Sequence, residues 1–287
     1  MINTITVTGG DSRQLYMSGF IKEKGYDVKI FACEHGKYPD GIKGCDNIDE
    51  AMTSEIIILP LPVCKCGSLL NTPLSSNEIK LKDITDRINE KHYVFYGMGS
   101  GNFSKNVQAK AYYSCDYFNI ESLIYKNALL TSEGILSIIL EKLPLTVFGL
   151  KAAVTGYGRI SAFTADKLKK LGAEVSVFAR DENQLLKASL NGINAYNISS
   201  LSDLAPNFDV IINTVPYPVI DSKTIKNSNI SCVFIEAASA PYGIDTEACA
   251  LYGRTLIKAF SLPGKTAPKS AGIIIGETIY NQLREVK

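Results

Sequence analysis

Two segments of the chain open in the same way, and their shared pattern limits the folds available to it. Each is an apolar strand ending in Val-Thr-Gly, then a polar turn and a helix-like stretch: VTGGDSRQ at 7–14 and VTGYGRIS at 154–161. Continuous apolar strands that alternate with helices are typical of parallel sheets covered on both faces. The pattern predicts an α/β fold of two doubly wound, Rossmann-like domains, with a cleft between them and long helices joining them.

The predicted elements alternate through both halves of the chain. The strands are predicted at 2–7, 28–31, 55–59, 93–96, 152–155, 174–178, 209–213, 232–236 and 255–258. The helices are predicted at 13–24, 82–90, 159–171, 181–191, 119–144 and 268–287. The apolar stretch 119–144 predicts a buried connecting helix, with Gly134 as a point of bending, and Pro268 suits the start of a last helix that crosses back. The predicted domains are therefore 1–125 with 268–287, and 126–267.

Composition excludes several classes of protein. The 287 residues carry 30 Lys plus Arg against 29 Asp plus Glu, a balance that argues against a broad nucleic-acid surface. No run approaches about 20 uninterrupted apolar residues, so no membrane-spanning helix is expected. The start, MINTITVTGG, lacks the basic and apolar regions of a signal peptide.

The cysteines and histidines do not form a metal-binding pattern. Seven cysteines are scattered, and Cys64 and Cys66 form a Cys-x-Cys that no second pair or histidine cluster completes. Only His35 and His92 are present. We therefore predict no metal site, and expect a cytoplasmic protein with reduced thiols.

The second of the two turns has the features of a nucleotide site. Gly156 permits a tight turn from strand to helix, and Gly158 lets the backbone approach a pyrophosphate. The helix that begins at Arg159 and Ile160 directs N–H groups and its positive dipole end toward those phosphates. Ser161 replaces the third glycine of the usual fingerprint and is small enough for close packing. The alternative is a merely structural turn.

The end of the second strand favours NADP over NAD. NAD sites place Asp or Glu there to bind the ribose 2′-hydroxyl, but the sequence reads Phe178-Ala179-Arg180-Asp181. Arg180 can pair with a 2′-phosphate, and Asp181 is expected to cap the next helix. In the alternative, Arg180 is a solvated surface charge.

Two further loops follow strands of the same predicted sheet. Thr214, Val215 and Pro216 follow strand 209–213, and we expect them to pack beside the nicotinamide or its ribose. Segment 236–243 follows the next strand and should face the same crevice. Ordinary loop chemistry remains open for both.

A set of motifs along almost the whole chain resembles the family of the dipicolinate synthase A subunit. In order, these motifs are GGDSRQ at 9–14, NALLTSEG at 127–134, VTGYGRIS, INTVP at 212–216, EAASAPYGID at 236–245 and LPGKTAPKSAG at 262–272. Two departures are Ser161 and the segment 240–243, where the family has a more glycine-rich turn. The first and last motifs together are the most specific.

The resemblance implies an activity and a partner. Members oxidise a cyclic dihydrodipicolinate-type intermediate of lysine biosynthesis to pyridine-2,6-dicarboxylate, with NADP as acceptor. They act in the mother-cell cytoplasm during sporulation with a second, flavoprotein-like subunit of dipicolinate synthase. The sequence leaves homo-oligomerisation open. The alternatives are another two-domain NAD(P) oxidoreductase, of the shikimate- or alanine-dehydrogenase kind, and a non-catalytic NADP-binding partner or redox sensor.

The first turn is then expected to hold the substrate. Arg13 can grip a carboxylate with two N–H bonds and Gln14 can add an amide bond, while Asp11 caps the helix. The alternative is a vestigial turn with a solvated Arg13.

The remaining candidate site residues would bind the substrate carboxylates or transfer a proton. Lys265 and Lys269 are candidate cations for the substrate carboxylates, and Ser239 is a candidate hydrogen-bond donor. Glu133 is the candidate general base, or orients a catalytic water. A satisfied, partly buried carboxylate is the equally open alternative for Glu133.

Overall fold

The first half of the chain forms a parallel sheet, as its short β-branched runs predict. The computed structural model describes residues 3–65 and 67–286, and within them this sheet has the strand order β3-β2-β1-β4-β5-β6. Its strands are β1 (Thr4–Thr8), β2 (Asp27–Phe31), β3 (Lys43–Gly44), β4 (Ile56–Ile58), β5 (Tyr93–Tyr96) and β6 (Tyr113–Asp116). This order reverses direction between β1 and β4, as in doubly wound folds.

Helices connect these strands. They are α1 (Ser12–Glu23), α2 (Ile48–Ala51), α3 (Leu81–Thr85), α4 (Gly101–Lys110) and α5 (Glu121–Lys142). Three of these helices have a side-chain N-cap. Asp11, Asn47 and Ser100 stand just before α1, α2 and α4, and each accepts a hydrogen bond from a backbone N–H group that the helix leaves unpaired.

The second half repeats the architecture. Its described strands run in the parallel order β12-β11-β10-β7-β8-β9, with the reversal between β7 and β10. They are β7 (Lys151–Thr155), β8 (Glu174–Ala179), β9 (Asn194–Asn197), β10 (Val210–Asn213), β11 (Val233–Glu236) and β12 (Thr255–Lys258). The helices are α6 (Arg159–Lys170), α7 (Glu182–Leu190), α8 (Leu201–Leu204), α9 (Ser222–Asn227), α10 (Thr246–Leu251), α11 (Leu262–Thr266) and α12 (Pro268–Val286). The prediction of two doubly wound α/β sheets is therefore confirmed.

Two compact units contain these sheets. One is Met1–Asn127 with Ala267–Lys287, and the other is Ala128–Thr266. Each sheet is buried on both faces: in the first, Ile56 and Ile58 of β4 belong to one apolar cluster, and Ile57 between them belongs to another. Side chains of a strand alternate between faces, so continuous apolar strands supply both layers.

Helix α12 packs on α1 through glycines spaced one turn apart. A Cβ placed on Gly272 would lie 2.8 Å from Tyr16 Cβ and 3.0 Å from Met17 N, and one on Gly276 would lie 2.7 Å from Phe20 Cδ1. The two helix backbones therefore approach more closely than any larger residue allows.

Helix α5 is the long apolar helix that the sequence indicates. Among the described residues, it alone has the length and composition that could cross a membrane, and 44% of its most apolar window is buried inside the protein. Leu123 joins the core of the first unit, whereas Ile135 and Ile139 join the core of the second. The helix is continuous at Gly134.

Some predicted elements differ from the structure. The helix predicted at 82–90 ends at Thr85, and the rest of that range leads into a local turn at Asn89, whose side chain accepts a bond from Lys91 N and whose N–H donates to His92 Nδ1. The short strands β3, β6 and β9 and helix α4 are absent from the sequence prediction. Of the predicted Cys-x-Cys, Cys66 lies outside the described residues.

We predict that Gly272→Ala lowers the free energy of unfolding by about 1–3 kcal/mol, because the added methyl overpacks the α1–α12 contact. Urea unfolding checks this. The matched control is Gly101→Ala, whose Cβ would meet nothing within 4 Å, and which should change stability by about 0.5 kcal/mol or less. Equal stability of the two variants would show that the α1–α12 contact accommodates an added methyl without overpacking.

Candidate functional site

The turn after β7 has the geometry of a close backbone approach. Gly156 adopts φ +74°, and its N–H donates to Phe178 O at 2.8 Å. A Cβ there would lie 2.9 Å from Val215 Cγ2. Only glycine combines this left-handed conformation with this contact, so the turn brings the loop after β10 against the loop after β7.

The start of α6 is left open by its own sequence. Gly158 is the N-cap residue and supplies no side chain, and a Cβ there would meet nothing within 4 Å. The first turn of α6 contains no acidic residue; Arg159 is exposed and Ile160 is partly buried. Ser161 is fully buried and its hydroxyl donates to Gly158 O at 3.1 Å, so this small side chain fits the close packing expected of it. A helix N-terminus of this kind suits an anion.

Gln184 supports the glycine turn, although no sequence motif pointed to it. Its Oε1 accepts a 2.7 Å bond from Tyr157 N. Its own N–H donates to Asp181 Oδ1 at 3.0 Å, which confirms that Asp181 caps the next helix. Gln184 and Tyr157 are 27 positions apart in sequence, so no local pattern could reveal their contact.

Arg180 borders a shallow pocket at the end of β8. The exposed guanidinium lies 4.9 Å from the ring centroid of Tyr217 and stacks as a cation on its face. The pocket has a volume of about 260 Å³ and is lined by Arg180, Ile198, Ser199, Ser202, Tyr217, Pro218, Val219, Asp221 and Thr224. The one carboxylate among these described residues, Asp221, is engaged by the Thr224 N–H and hydroxyl at 2.8 and 2.7 Å. The pocket therefore combines an aromatic face, hydroxyls and an exposed cation.

The loop after β10 is fixed at its base. Thr214 Oγ1 donates to Thr155 O at 2.9 Å, and Val215 N donates to Asn213 Oδ1 at 3.1 Å. Pro216 is exposed. The structure therefore brings Val215 beside Gly156.

A buried polar network lies beneath these loops and was missed from the sequence. Thr155, Asn213 and Glu236 are 0%, 0% and 2% exposed. Thr155 Oγ1 donates to Asn213 Oδ1 at 2.6 Å, and Asn213 Nδ2 donates to Glu236 Oε1 at 2.7 Å. Because these residues come from three separate strands, only the sheet register brings them together.

The turn after β1 shares the left-handed first glycine of the turn after β7, differs from it at the next residue, where Tyr157 has no positive φ, and has a filled interior. Gly9 and Gly10 adopt φ +69° and +91°, and Gly10 N donates to Asn71 O at 2.8 Å. A Cβ on Gly10 would lie 2.5 Å from Gln14 Cδ. Asp11 and Gln14 form a capping box, in which Asp11 N donates to Gln14 Oε1 at 3.1 Å. The first turn thus satisfies its own helix start.

Arg13 and Gln14 lie inside the first unit. The Arg13 guanidinium donates to both oxygens of Asp11, with Nε–Oδ1 at 2.9 Å and Nη2–Oδ2 at 3.0 Å, and Nη2 also donates to Leu61 O at 2.5 Å. Arg13 is 6% exposed, so it is not the solvated arginine of the alternative prediction. Gln14 is fully buried, and its Nε2 has no hydrogen-bond partner among the described residues. We infer that both residues support the turn, since neither side chain is open to a ligand there.

Cys33 lies against the same turn and is unreactive. Its Sγ donates to Gly9 O at 3.3 Å. Burial, with the nearby carboxylates of Glu34 and Asp11, raises the pKa of the Cys33 thiol to about 12. The thiolate is therefore scarce at neutral pH, which disfavours this cysteine as a nucleophile.

The remaining predicted residues are exposed. Glu133 lies on α5 with 51% of its side chain exposed. Its Oε1 lies 3.8 Å from Lys167 Nζ. Ser239 lies in the loop after β11, Lys265 on α11 and Lys269 at the second residue of α12, all exposed.

Comparison with known proteins gives a family-model match to the first part of the chain and a shared fold. Residues 4–118 match the family model described as the N-terminal domain of the dipicolinate synthase A subunit. The chain is 29% identical to the dipicolinate synthase A subunit of Bacillus subtilis (strain 168), covering 99% of this chain and 96% of that protein. A crystal structure of the dipicolinate synthase A chain from Bacillus subtilis has a TM-score of 0.86 at 25% identity, covering 100% of this chain and 97% of that one.

The fold extends to more distant proteins. The crystal structure of transhydrogenase from Sinorhizobium meliloti has a TM-score of 0.72 at 14% identity, covering 98% of this chain and 94% of that one. This similarity shows a common fold alone. The resemblance seen in the sequence motifs is confirmed by the family match and the full-length similarity.

We predict that Arg13 contributes to stability through Asp11. Arg13→Ala should lower the free energy of unfolding by about 2–3 kcal/mol, because the Asp11 carboxylate and Leu61 O each lose a charge-assisted donor. A double-mutant cycle with Asp11→Ala, in which urea unfolding gives the free energy of unfolding of each variant, separates the coupling energy between Arg13 and Asp11 from the loss of the helix cap. Unchanged stability together with a loss of dicarboxylate binding would contradict the structural role and restore the substrate-binding one.

Proposed function

We propose that this chain, whose N-terminal domain belongs to the family of the dipicolinate synthase A subunit, is the NADP-dependent oxidoreductase component of a dipicolinate synthase. Its reaction oxidises a cyclic dihydrodipicolinate-type intermediate of lysine biosynthesis to pyridine-2,6-dicarboxylate during sporulation. One observation carries the assignment of the nucleotide to the second unit. The start of α1 is closed by Asp11 and Gln14, whereas the start of α6 at Gly158 is open and uncapped.

The residues of the second turn fit a dinucleotide. The backbone at Gly156 and Gly158 would receive the pyrophosphate, with Arg159 and Ile160 in the first turn of α6. The loop of Thr214, Val215 and Pro216 would border the nicotinamide half, and its fixed base supports this role. When bound, NADP supplies the acceptor for the hydride that leaves the substrate ring.

The pocket at Arg180 supports NADP over NAD. Ala179 ends β8 with 4% exposure and offers no carboxylate to a ribose hydroxyl. Arg180 provides a cation for a 2′-phosphate, and Ser199 and Ser202 provide hydroxyls. The Tyr217 ring offers a flat apolar face for adenine beside them.

The substrate needs partners for two carboxylates and a route for one proton. Lys265 and Lys269 are exposed cations that can pair with a carboxylate, and Ser239 is an exposed hydroxyl. Glu133 is an exposed carboxylate that can accept the ring proton and release it to water. Aromatisation of the ring favours the product, so the main task of these residues is positioning.

The first functional prediction concerns activity and partner. With the lysine-pathway intermediate regenerated in the assay, the chain should form NADPH and pyridine dicarboxylate, followed by absorbance and product identification. Turnover should be low for the chain alone and rise when the smaller, flavoprotein-like component of the family's enzyme is added. This component should co-purify with the chain.

Three outcomes would contradict parts of this proposal. If the isolated chain is fully active and the flavoprotein-like component does not change its activity, the chain does not require that partner. Turnover of a different acid, with no dicarboxylate formed, indicates another two-domain oxidoreductase. Tight NADPH binding without turnover under any condition indicates a non-catalytic binding partner or redox sensor.

The second functional prediction concerns cofactor choice. Arg180→Ala should weaken NADP(H) binding by about tenfold or more, the loss of one charge-assisted pair, with little change for NAD(H). Ala179→Asp should weaken NADP(H) further by repelling the 2′-phosphate, and should favour NAD(H). Calorimetric titration of both cofactors against the parent and both variants measures this. Tighter NAD(H) than NADP(H) binding by the parent would refute the assignment.

A further inference from the structure

Three adjacent strands of the second sheet end in polar residues that lie side by side. Thr155 ends β7, Asn213 ends β10 and Glu236 ends β11. The register pairs Asn213 with Thr155 on one side and with Glu236 on the other. All three side chains are buried, although the loops that follow them are partly exposed.

The Glu236 carboxylate is fully paired inside the protein. Oε1 accepts from Asn213 Nδ2 at 2.7 Å and from Ala238 N at 3.0 Å. Oε2 accepts from Gly243 N at 2.8 Å and from Ile244 N at 2.9 Å. Burying a charged carboxylate is costly unless hydrogen-bond donors pair with it, so these four bonds stabilise Glu236 in its buried position. They also hold the loop 237–244 against the ends of the strands.

Asn213 carries the connection to the loop after β10. Its Oδ1 accepts from Thr155 Oγ1 and from Val215 N, and its Nδ2 donates to Val215 O at 3.0 Å as well as to Glu236. A Cβ on Gly243 would lie 2.8 Å from both Asn213 Cγ and Tyr217 O. The amide is thus enclosed, and both backbone groups of Val215 are held by a single side chain.

The network lies at the point where the strand order reverses. β7 and β10 are neighbours in the sheet, and their crossovers run to opposite sides. Ligands of doubly wound sheets bind outside the carboxyl ends of the strands at this point. The Thr155–Asn213 bond joins the last residues of these two strands, so it forms the floor of that crevice.

We infer that Glu236 is a positioning residue for the nicotinamide half of the cofactor, acting through Asn213 and the backbone of Val215; this rests on the proposed function. The pairing holds loops 214–216 and 237–244 in one arrangement before ligand arrives. The adenosine half is held separately, by Arg180 and its neighbours in the pocket at the end of β8. The two halves of NADPH therefore depend on different residues.

The isosteric variants Glu236→Gln and Asn213→Asp test this dependence. In the first variant, either orientation of the new amide turns its NH₂ group toward N–H donors that the carboxylate oxygens of Glu236 accept from. In the second, the new carboxylate faces the Glu236 carboxylate and Val215 O, to which the Asn213 amide donates. Thr155→Val removes the hydroxyl at constant shape, and Thr155→Ser keeps it as the matched control.

The experiment compares NADPH with 2′,5′-ADP, which lacks the nicotinamide half, by calorimetric titration of the full chain. Glu236→Gln, Asn213→Asp and Thr155→Val should weaken NADPH by about tenfold or more while 2′,5′-ADP changes by about threefold or less. Thr155→Ser should bind NADPH as the parent does, and Arg180→Ala should weaken both ligands alike. Circular dichroism verifies folding, and Thr155→Val carries the test if the other two variants unfold.

Two results would overturn the inference. Folded variants that bind NADPH as the parent does would show that the network does not position the cofactor. Equal losses for NADPH and 2′,5′-ADP would show a general structural role. A parent chain that binds neither ligand is a different failure, because it overturns the proposed function together with this assignment.

Discussion

A helix leaves its first N–H groups without partners, and the chain meets this constraint in opposite ways at its two glycine turns. At α1, Asp11 and Gln14 bind the N–H groups of the turn, and Asp11 also neutralises Arg13. At α6, Gly158 provides no side chain and no acid follows it in the first turn. The first turn therefore pairs its helix start with its own side chains, whereas the second has no side-chain cap, which is the arrangement that we propose for an anion.

This contrast separates two units of one architecture. Both sheets have the same strand order and the same reversal point, so the sheet topology alone does not separate them. The separation comes from a few side chains. Segment 69–72 also covers the first turn, since Asn71 O accepts the N–H of Gly10. The equivalent N–H of the second turn, that of Tyr157, is bound by Gln184 Oε1, so the two turns differ at their helix starts and not at this donor.

Much of the fold was open to prediction because its signals are local. The segment 154–156 and the start of α6 follow one another in sequence, so strand, turn and helix could be read together. The apolar strands indicated sheets buried on both faces. Short edge strands such as β9 escaped prediction because Asn194 and Asn197 give them little β-propensity.

The supports of the site were hidden because they are long-range. Gln184 reaches Tyr157 across 27 positions, and Glu236 reaches Asn213 across 23. Segment 236–243 is predicted to face the crevice, and the sequence singles out Ser239 in it, which is exposed. The buried Glu236 carries no signal in the sequence that marks it as a support of the site. The sequence shows which residues can carry a charge. The role of such a residue depends on its burial and its partners, and these are known only once the strands are placed side by side in the sheet. The pairing of Arg13 with Asp11 is local, but the sequence does not show whether the Arg13 side chain turns toward Asp11 or toward a ligand.

The glycine contact between α12 and α1 has a consequence for synthesis on the ribosome. The helix that covers α1 is the last one described, 268–286, while the rest of its unit is made before residue 128. The second unit is continuous in sequence and can fold as soon as it emerges. The first unit lacks the cover of α1 until residues 268–286 have been translated, after the whole of the second unit. The close contact at Gly272 and Gly276 therefore forms late in synthesis, and the apolar side of α1 stays exposed to solvent or to a chaperone in the interval.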